Sequence, residues 1–203
     1  MKKTVLTAII CASTATGAVF GQQHTQSMSF SGPTQWIPGT SVNLDGFLTF
    51  SGYNAIALSY WLEVPNAVAP YITITDIQYF TFTDHAPPPY PIPFNSTGGA
   101  DPGYMAETFD LGASANPPVV PGTYHVTTIT FSLAAGAPNG SYTMLTTHLN
   151  PLPSLVTDTN FNDNPINPPA MFAFQVVPEP STLALLSFAA VGCGVLIYRR
   201  RNR

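Results

Sequence analysis

Between Gln22 and Val177 the chain has no lysine and no arginine: all six of its cationic side chains lie at the two ends, as Lys2, Lys3, Arg199, Arg200, Arg201 and Arg203. That absence narrows the range of partners more than any motif does. Proteins hold a phosphate backbone and anionic lipid head groups through Lys and Arg, so nucleic acid and the membrane surface are both disfavoured as partners of the central segment. Its nine carboxylates, Asp45, Glu63, Asp76, Asp84, Asp101, Glu107, Asp110, Asp158 and Asp163, face only the four histidines His24, His85, His125 and His148. The segment is therefore acidic at neutral pH. If its carboxylates repel one another, moderate salt and mild acid both stabilise it.

Cysteine is just as scarce. Cys11 and Cys193 sit in the apolar stretches near the two ends, so the central segment has no thiol and no disulfide. It must fold on packing and backbone hydrogen bonds, which a chain of about 155 residues can do as one domain. The signatures of catalysis are also missing. There is no G-x-S-x-G, no phosphate-cradling glycine loop and no cysteine nucleophile. The histidines have no metal-ligand spacing, so a zinc site would have to be assembled by folding alone. A pair of distant carboxylates suited to glycoside hydrolysis stays open, but the sequence is read as that of a protein that is not an enzyme.

The ends themselves are informative. Met1-Lys2-Lys3, the apolar run Val5 to Ala12 and the small-residue site Val19-Phe20-Gly21 read as a secretory signal peptide over residues 1–21. Cys11 follows Ile9 and Ile10 and so lacks the small neighbour that lipid attachment needs. At the other end, Leu183 to Tyr198 is an apolar run closed by Arg199, Arg200, Arg201 and Arg203. Its Leu, Phe, Val and Ile side chains each favour a bilayer centre by roughly 0.3 to 0.6 kcal/mol, which predicts a transmembrane helix. The arginines act as a cytoplasmic stop-transfer cluster and place the central segment outside the membrane.

Immediately before that run stands Val177-Pro178-Glu179-Pro180-Ser181-Thr182. A Pro-Glu-Pro directly ahead of an apolar helix and a terminal arginine cluster closely resembles the PEP-CTERM sorting signal, over about the last 27 residues. The resemblance implies an exosortase-type processing enzyme as partner, with Pro178, Glu179 and Pro180 as recognition elements rather than catalytic ones. It also implies an inner-membrane anchored intermediate, then release to the cell envelope, cell surface or extracellular matrix. The expected division is signal peptide 1–21, cargo domain 22–177 and sorting signal 178–203.

The cargo reads as strands. Ile56, Leu58, Tyr60, Leu62 and Val64 alternate with Ala57, Ser59, Trp61 and Glu63, the period-two pattern of a strand buried on one face. Similar stretches are Ser41 to Phe50, kinked at Asp45-Gly46, then Tyr71 to Phe82, Thr123 to Leu133, Ser141 to Leu149 and Ala170 to Val176. Turns such as Ser51-Gly52, Pro121-Gly122 and Pro138-Asn139-Gly140 separate them. From Asp84 to Pro121 regular structure runs out, apart from expected edge pairing around Tyr104 to Phe109. The fold class that follows is all-β, an antiparallel Ig-like β-sandwich. The pair Gly122 to Leu133 and Gly140 to Leu149, with the Gly52-Tyr53-Asn54-Ala55 lead-in to a long strand, resembles cohesin-type sandwiches.

Asp158-Thr159-Asn160-Phe161-Asn162-Asp163-Asn164 offers alternating oxygen ligands like the start of a calcium loop. Asp163 occupies the turn-glycine position and Pro169 the closing glutamate position, so it is not an EF-hand. Two readings stand: an Asx-rich turn, or a surface calcium site using Asp158, Asn160, Asn162 and Asp163. No other cofactor is expected. The functional readings are a structural or adhesive exported module, a carbohydrate- or protein-binding module with Trp36, Trp61, Tyr60, Tyr79 and Tyr90 as stacking platforms, or, last, a hydrolase. Extracellular polysaccharide is the candidate external partner.

Overall fold

The computed structural model describes residues 23–86 and 88–178. The expected signal peptide, Glu179, Pro180, the apolar run and the arginine cluster lie outside the described residues. No helix among those described is long and apolar enough to cross a membrane.

Among the described residues fourteen strands follow one another, with one 3-10 turn at Ala69–Tyr71. They are β1 Thr25–Ser31, β2 Gln35–Trp36, β3 Ser41–Ser51, β4 Ala55–Ser59, β5 Leu62–Pro65, β6 Ile72–Tyr79 and β7 Ile92–Pro93. Then come β8 Tyr104–Ala106, β9 Ala113–Val119, β10 Gly122–Leu133, β11 Gly140–Thr146, β12 Leu155–Asp158, β13 Asp163–Pro165 and β14 Met171–Val176. One sheet has the order β1-β3-β10-β6-β7, a second β2-β14-β11-β5-β8 and a third β13-β12-β4-β9. Every pairing is antiparallel except β2 with β14.

The second and third sheets lie end to end. Only Tyr60 and Trp61 separate β4 from β5, and backbone bonds from Leu111 to Tyr60 and from Thr147 to Trp61 carry the pairing across the gap. This composite layer packs on the first sheet through one core. Trp36 lies 5.4 Å from Phe131 between ring centroids, and the Tyr60 hydroxyl meets Thr127 Oγ1 at 2.7 Å. The all-β, antiparallel expectation holds.

The alternation in β3 buries Val42, Leu44, Leu48 and Phe50 and keeps the strand unbroken through Asp45-Gly46. The irregularity expected there falls on the partner instead, where β10 shifts register between His125 and Thr127. Gly46 is needed for a different reason: a Cβ would approach Thr127 Oγ1 to 2.8 Å. In β4 the pattern also slips. Leu58, Tyr60, Leu62 and Val64 are buried as expected, but a register shift between Ala55 and Ala57 buries Ala55 and leaves Ile56 half-exposed.

The segment from Asp84 to Pro121 is more ordered than its composition suggests, since it contains β7, β8 and β9. Pairing of β8 with β5 is the edge contact expected near Tyr104. Strand β9 carries Pro117 and Pro118, which a strand accepts only at a sheet edge, and it is the edge of the third sheet.

Gly112 fixes how closely β9 approaches β4. A Cβ there would fall 1.8 Å from the Leu58 carbonyl oxygen, a backbone atom that no rotamer change can move. Gly112→Ala should therefore cost about 3 kcal/mol or more in urea unfolding. Gly136 has open space and φ of 88°, so Gly136→Ala should cost only about 1 to 2 kcal/mol. Equal losses would show that close approach is not what demands glycine at 112.

Candidate functional site

The break between β4 and β5 leaves backbone N–H groups without ladder partners, and carboxylates take them up. Asp110 Oδ1 accepts the N–H of Tyr60 at 3.0 Å and of Gly112 at 2.8 Å. Both Glu107 oxygens accept the Leu62 N–H, at 2.8 and 2.9 Å. Glu107 is fully buried, and burial holds its carboxyl well above the usual range although the Leu62 N–H pulls the other way.

Glu63 is also fully buried but is served differently. One of its oxygens accepts the Asp101 N–H at 2.5 Å, while Oε1 is buried with no partner. The Asp101 side chain arrives from the loop before β8 and His148 from the loop after β11. His148 Nε2 lies 3.7 Å from Asp101 Oδ1, and its Nδ1 is buried without a partner. One ligating atom each of Glu63, Asp101 and His148 lies within 4.8 Å of the other two. Burial, and next the nearby Asp101 charge, push the Glu63 carboxyl up to about 7 against the pull of the Asp101 N–H.

No spacing along the chain joins these three residues, because they come from separate segments that only the fold brings together. A signal was nonetheless present: Glu63 is a lone acid between Leu62 and Val64 in an otherwise apolar strand. Its neighbours in the alternation placed it on the polar face, but the loops carrying Asp101 and His148 cover that face here.

The residues singled out for calcium form the β12–β13 turn. Asp158 Oδ1 accepts the N–H of Asn160 at 2.7 Å and of Asn162 at 3.0 Å, and the Asn162 amide donates to both carboxylate oxygens. Asp163 Oδ1 accepts from Thr157 Oγ1 at 2.9 Å. The Asn162 bonds hold Asp158 below its ordinary carboxylate range. This is the geometry of the Asx-rich turn, with Phe161 at its tip in the left-handed region, φ 61°.

Two of the five aromatics expected as stacking platforms are core residues: Trp36 and Tyr60 are completely buried, and Trp36 Nε1 donates to the Pro33 carbonyl. An aromatic row lies elsewhere, on the outer face of the first sheet. His125 stacks on Phe80 at 4.1 Å and on Phe47 at 5.0 Å, with rings within 28° of parallel. Beside the row Asp45 accepts from Thr128 Oγ1 at 2.6 Å and lies 3.4 Å from His125 Nε2. The rings face one another, so between them they offer edges rather than the flat faces that stack on a sugar.

The carboxyl shifts have opposite signs and define a pH profile. Glu63 and Glu107 are raised, so their contribution is complete below about pH 4.3 and is lost as pH rises through their folded values. Asp158 is lowered, so its contribution is present above about pH 3.9 and is lost as pH falls. With chelator present, Tm should peak near pH 5 and decline towards pH 8, and Glu107→Gln should flatten that decline. A Tm that rises from pH 5 to pH 8 would contradict the assignment of burial as the cause.

Residues 176–201 match the model of the PEP-CTERM protein-sorting motif. No curated protein matches the chain. Among solved structures, the chain is similar to a cohesin module from a Clostridium perfringens ATCC13124 family 33 glycoside hydrolase. The TM-score is 0.51 and the identity 12%, over 77% of this chain and all of that one. The seventh ScaB type I cohesin of Pseudobacteroides cellulosolvens aligns at TM-score 0.43 and 10% identity, over 76% of this chain and 95% of that one. The CARDB domain of the Pyrococcus furiosus PF1109 protein aligns at 0.39 and 13%, over 78% and 97%. The chain thus carries a PEP-CTERM protein-sorting motif at residues 176–201, directly behind an all-β domain whose fold is similar to that of a cohesin module.

Proposed function

We propose that this chain is an exported, non-catalytic protein of the cell surface or extracellular matrix, sorted by an exosortase-type enzyme that reads Pro178, Glu179 and Pro180. One observation carries the reading: the sorting motif begins at Val176, the last residue of β14. The Val177 N–H still bonds the Trp36 carbonyl, and Pro178 is exposed. This supports a cargo that ends where the motif starts, with no linker between them. In this reading residues 1–21 direct export, 22–177 are the cargo, and the apolar run with Arg199, Arg200, Arg201 and Arg203 anchors the intermediate until processing.

The cargo serves as a structural or binding module. A hydrolase would need two carboxylates lining a cleft, whereas the buried pair Glu63 and Glu107 has Glu107 sealed from solvent and bonded to the Leu62 backbone. Within binding, the outer face of the first sheet favours a protein partner over polysaccharide, because the row Phe47, His125 and Phe80 is stacked on itself.

Glu179→Ala should leave membrane insertion intact and block maturation, since the helix and arginines that drive insertion are untouched. An immunoblot of fractionated cells then finds the variant as unprocessed chain in the membrane. Deleting residues 178–203 should yield a soluble exported domain that unfolds cooperatively at the midpoint of the parent. Normal maturation of the alanine variant would reduce the motif to a plain anchor, and loss of cooperativity in the deletion would move the domain boundary.

A further inference from the structure

We propose that Glu63, Asp101 and His148 form a site for one divalent transition-metal ion of the zinc type, which clasps the loops before β8 and after β11 to strand β5. The proposal is independent of how the chain is sorted. It begins from the contrast between the two fully buried glutamates. Glu107 has both oxygens on a backbone N–H, so the fold alone accounts for it. Glu63 keeps Oε1 buried and unpartnered, within a grouping that also contains an imidazole and a second carboxylate. An unsatisfied buried carboxylate oxygen is destabilising, and a domain without Lys or Arg has no side-chain cation other than histidine to offset it.

The donor set selects the ion. Calcium takes six to eight oxygens and magnesium a near-octahedral oxygen shell, neither of which fits one imidazole and two carboxylates. Zinc accepts nitrogen and carboxylate oxygen in a tetrahedron and leaves its fourth position to water when three protein ligands are present. The side chains of His148 and Asp101 are 31% and 28% exposed, so one side of the grouping is open to an arriving ion and its water. In a tetrahedron with bonds of about 2.0 to 2.1 Å the ligand atoms stand about 3.4 Å apart. The present separations, up to 4.8 Å, have to close by up to about 1.4 Å.

The loops are placed for that closure. Gly99, at φ 75°, lies so near the loop after β11 that a Cβ would meet Leu152 Cβ at 2.9 Å and the Leu149 carbonyl at 3.1 Å. The segment carrying Asp101 is thereby packed against the segment carrying His148. Glu63 in β5 is the fixed member, and the other two approach it on rotatable side chains.

The test uses the tag-free full chain in detergent, stripped with chelator and titrated with Zn2+ alone by calorimetry. One ion per chain is expected, with a Tm rise of about 5 °C or more at a hundredfold excess over Kd. Co2+ in place of zinc should give visible absorption bands of tetrahedral intensity. Glu63→Gln, which keeps the side-chain shape, and His148→Ala should each weaken binding at least tenfold and remove the cobalt bands, whereas His125→Ala on the other sheet should change neither. Should His148→Ala fail to fold, Asp101→Asn in the half-open loop carries the same expectation. Absence of any zinc-dependent Tm shift, or wild-type affinity in Glu63→Gln, overturns the proposal.

Discussion

A domain with nine carboxylates and no Lys or Arg has to satisfy its buried carboxyl groups with backbone N–H groups, hydroxyls, side-chain amides and histidines. That constraint governs the architecture around the β4–β5 break. Where the ladder is interrupted, Tyr60 and Leu62 would lose partners, and Asp110 and Glu107 supply them. The same solution recurs at the β12–β13 turn, where Asp158 collects the N–H groups of Asn160 and Asn162. Acids here act as acceptors that finish the backbone's hydrogen bonding. Repulsion between exposed charges is the effect composition suggests first, but the raised carboxyls are buried ones, and burial is the leading cause.

Packing follows from the break as well. Tyr60 stays completely buried and reaches across the core to Thr127, beside the register shift in β10 and opposite Gly46. The two layers are thus joined at the point where one is discontinuous. Trp36 does the same near the C-terminal edge, stacked on Phe174 at 4.2 Å and close to Phe131. Because β2 pairs with β14, the motif, which begins at Val176, starts from a fixed point.

Alternation made β3 and β14 legible in the sequence, and stretches rich in Thr, aliphatic and aromatic residues between Pro and Gly turns did the same for β6, β10 and β11 although their period slips. Strand β1, Thr25–Ser31, has only Met28 and Phe30 to mark it, and an edge strand needs no more. Strand β9 was masked by Pro117 and Pro118, which read as a loop until the edge position is known. Trp36 and Tyr60 resemble surface platforms in composition, yet packing across the sandwich consumes them. The grouping of Glu63 with Asp101 and His148 was illegible for the opposite reason: their proximity is a product of topology, and no local spacing encodes it.

The sorting end is the part of the chain whose reading needs no tertiary contact, and the domain before it is compatible with that reading because the Val177 N–H still bonds the Trp36 carbonyl and Pro178 is exposed. Mass spectrometry of the C-terminus of the mature wild-type protein, recovered from the surface and medium of its host, tests this most directly. The expected product is a chain that ends close to Pro178-Glu179-Pro180 and yields no peptide from residues 183–203. A mature surface protein that still ends at Arg203 would contradict it.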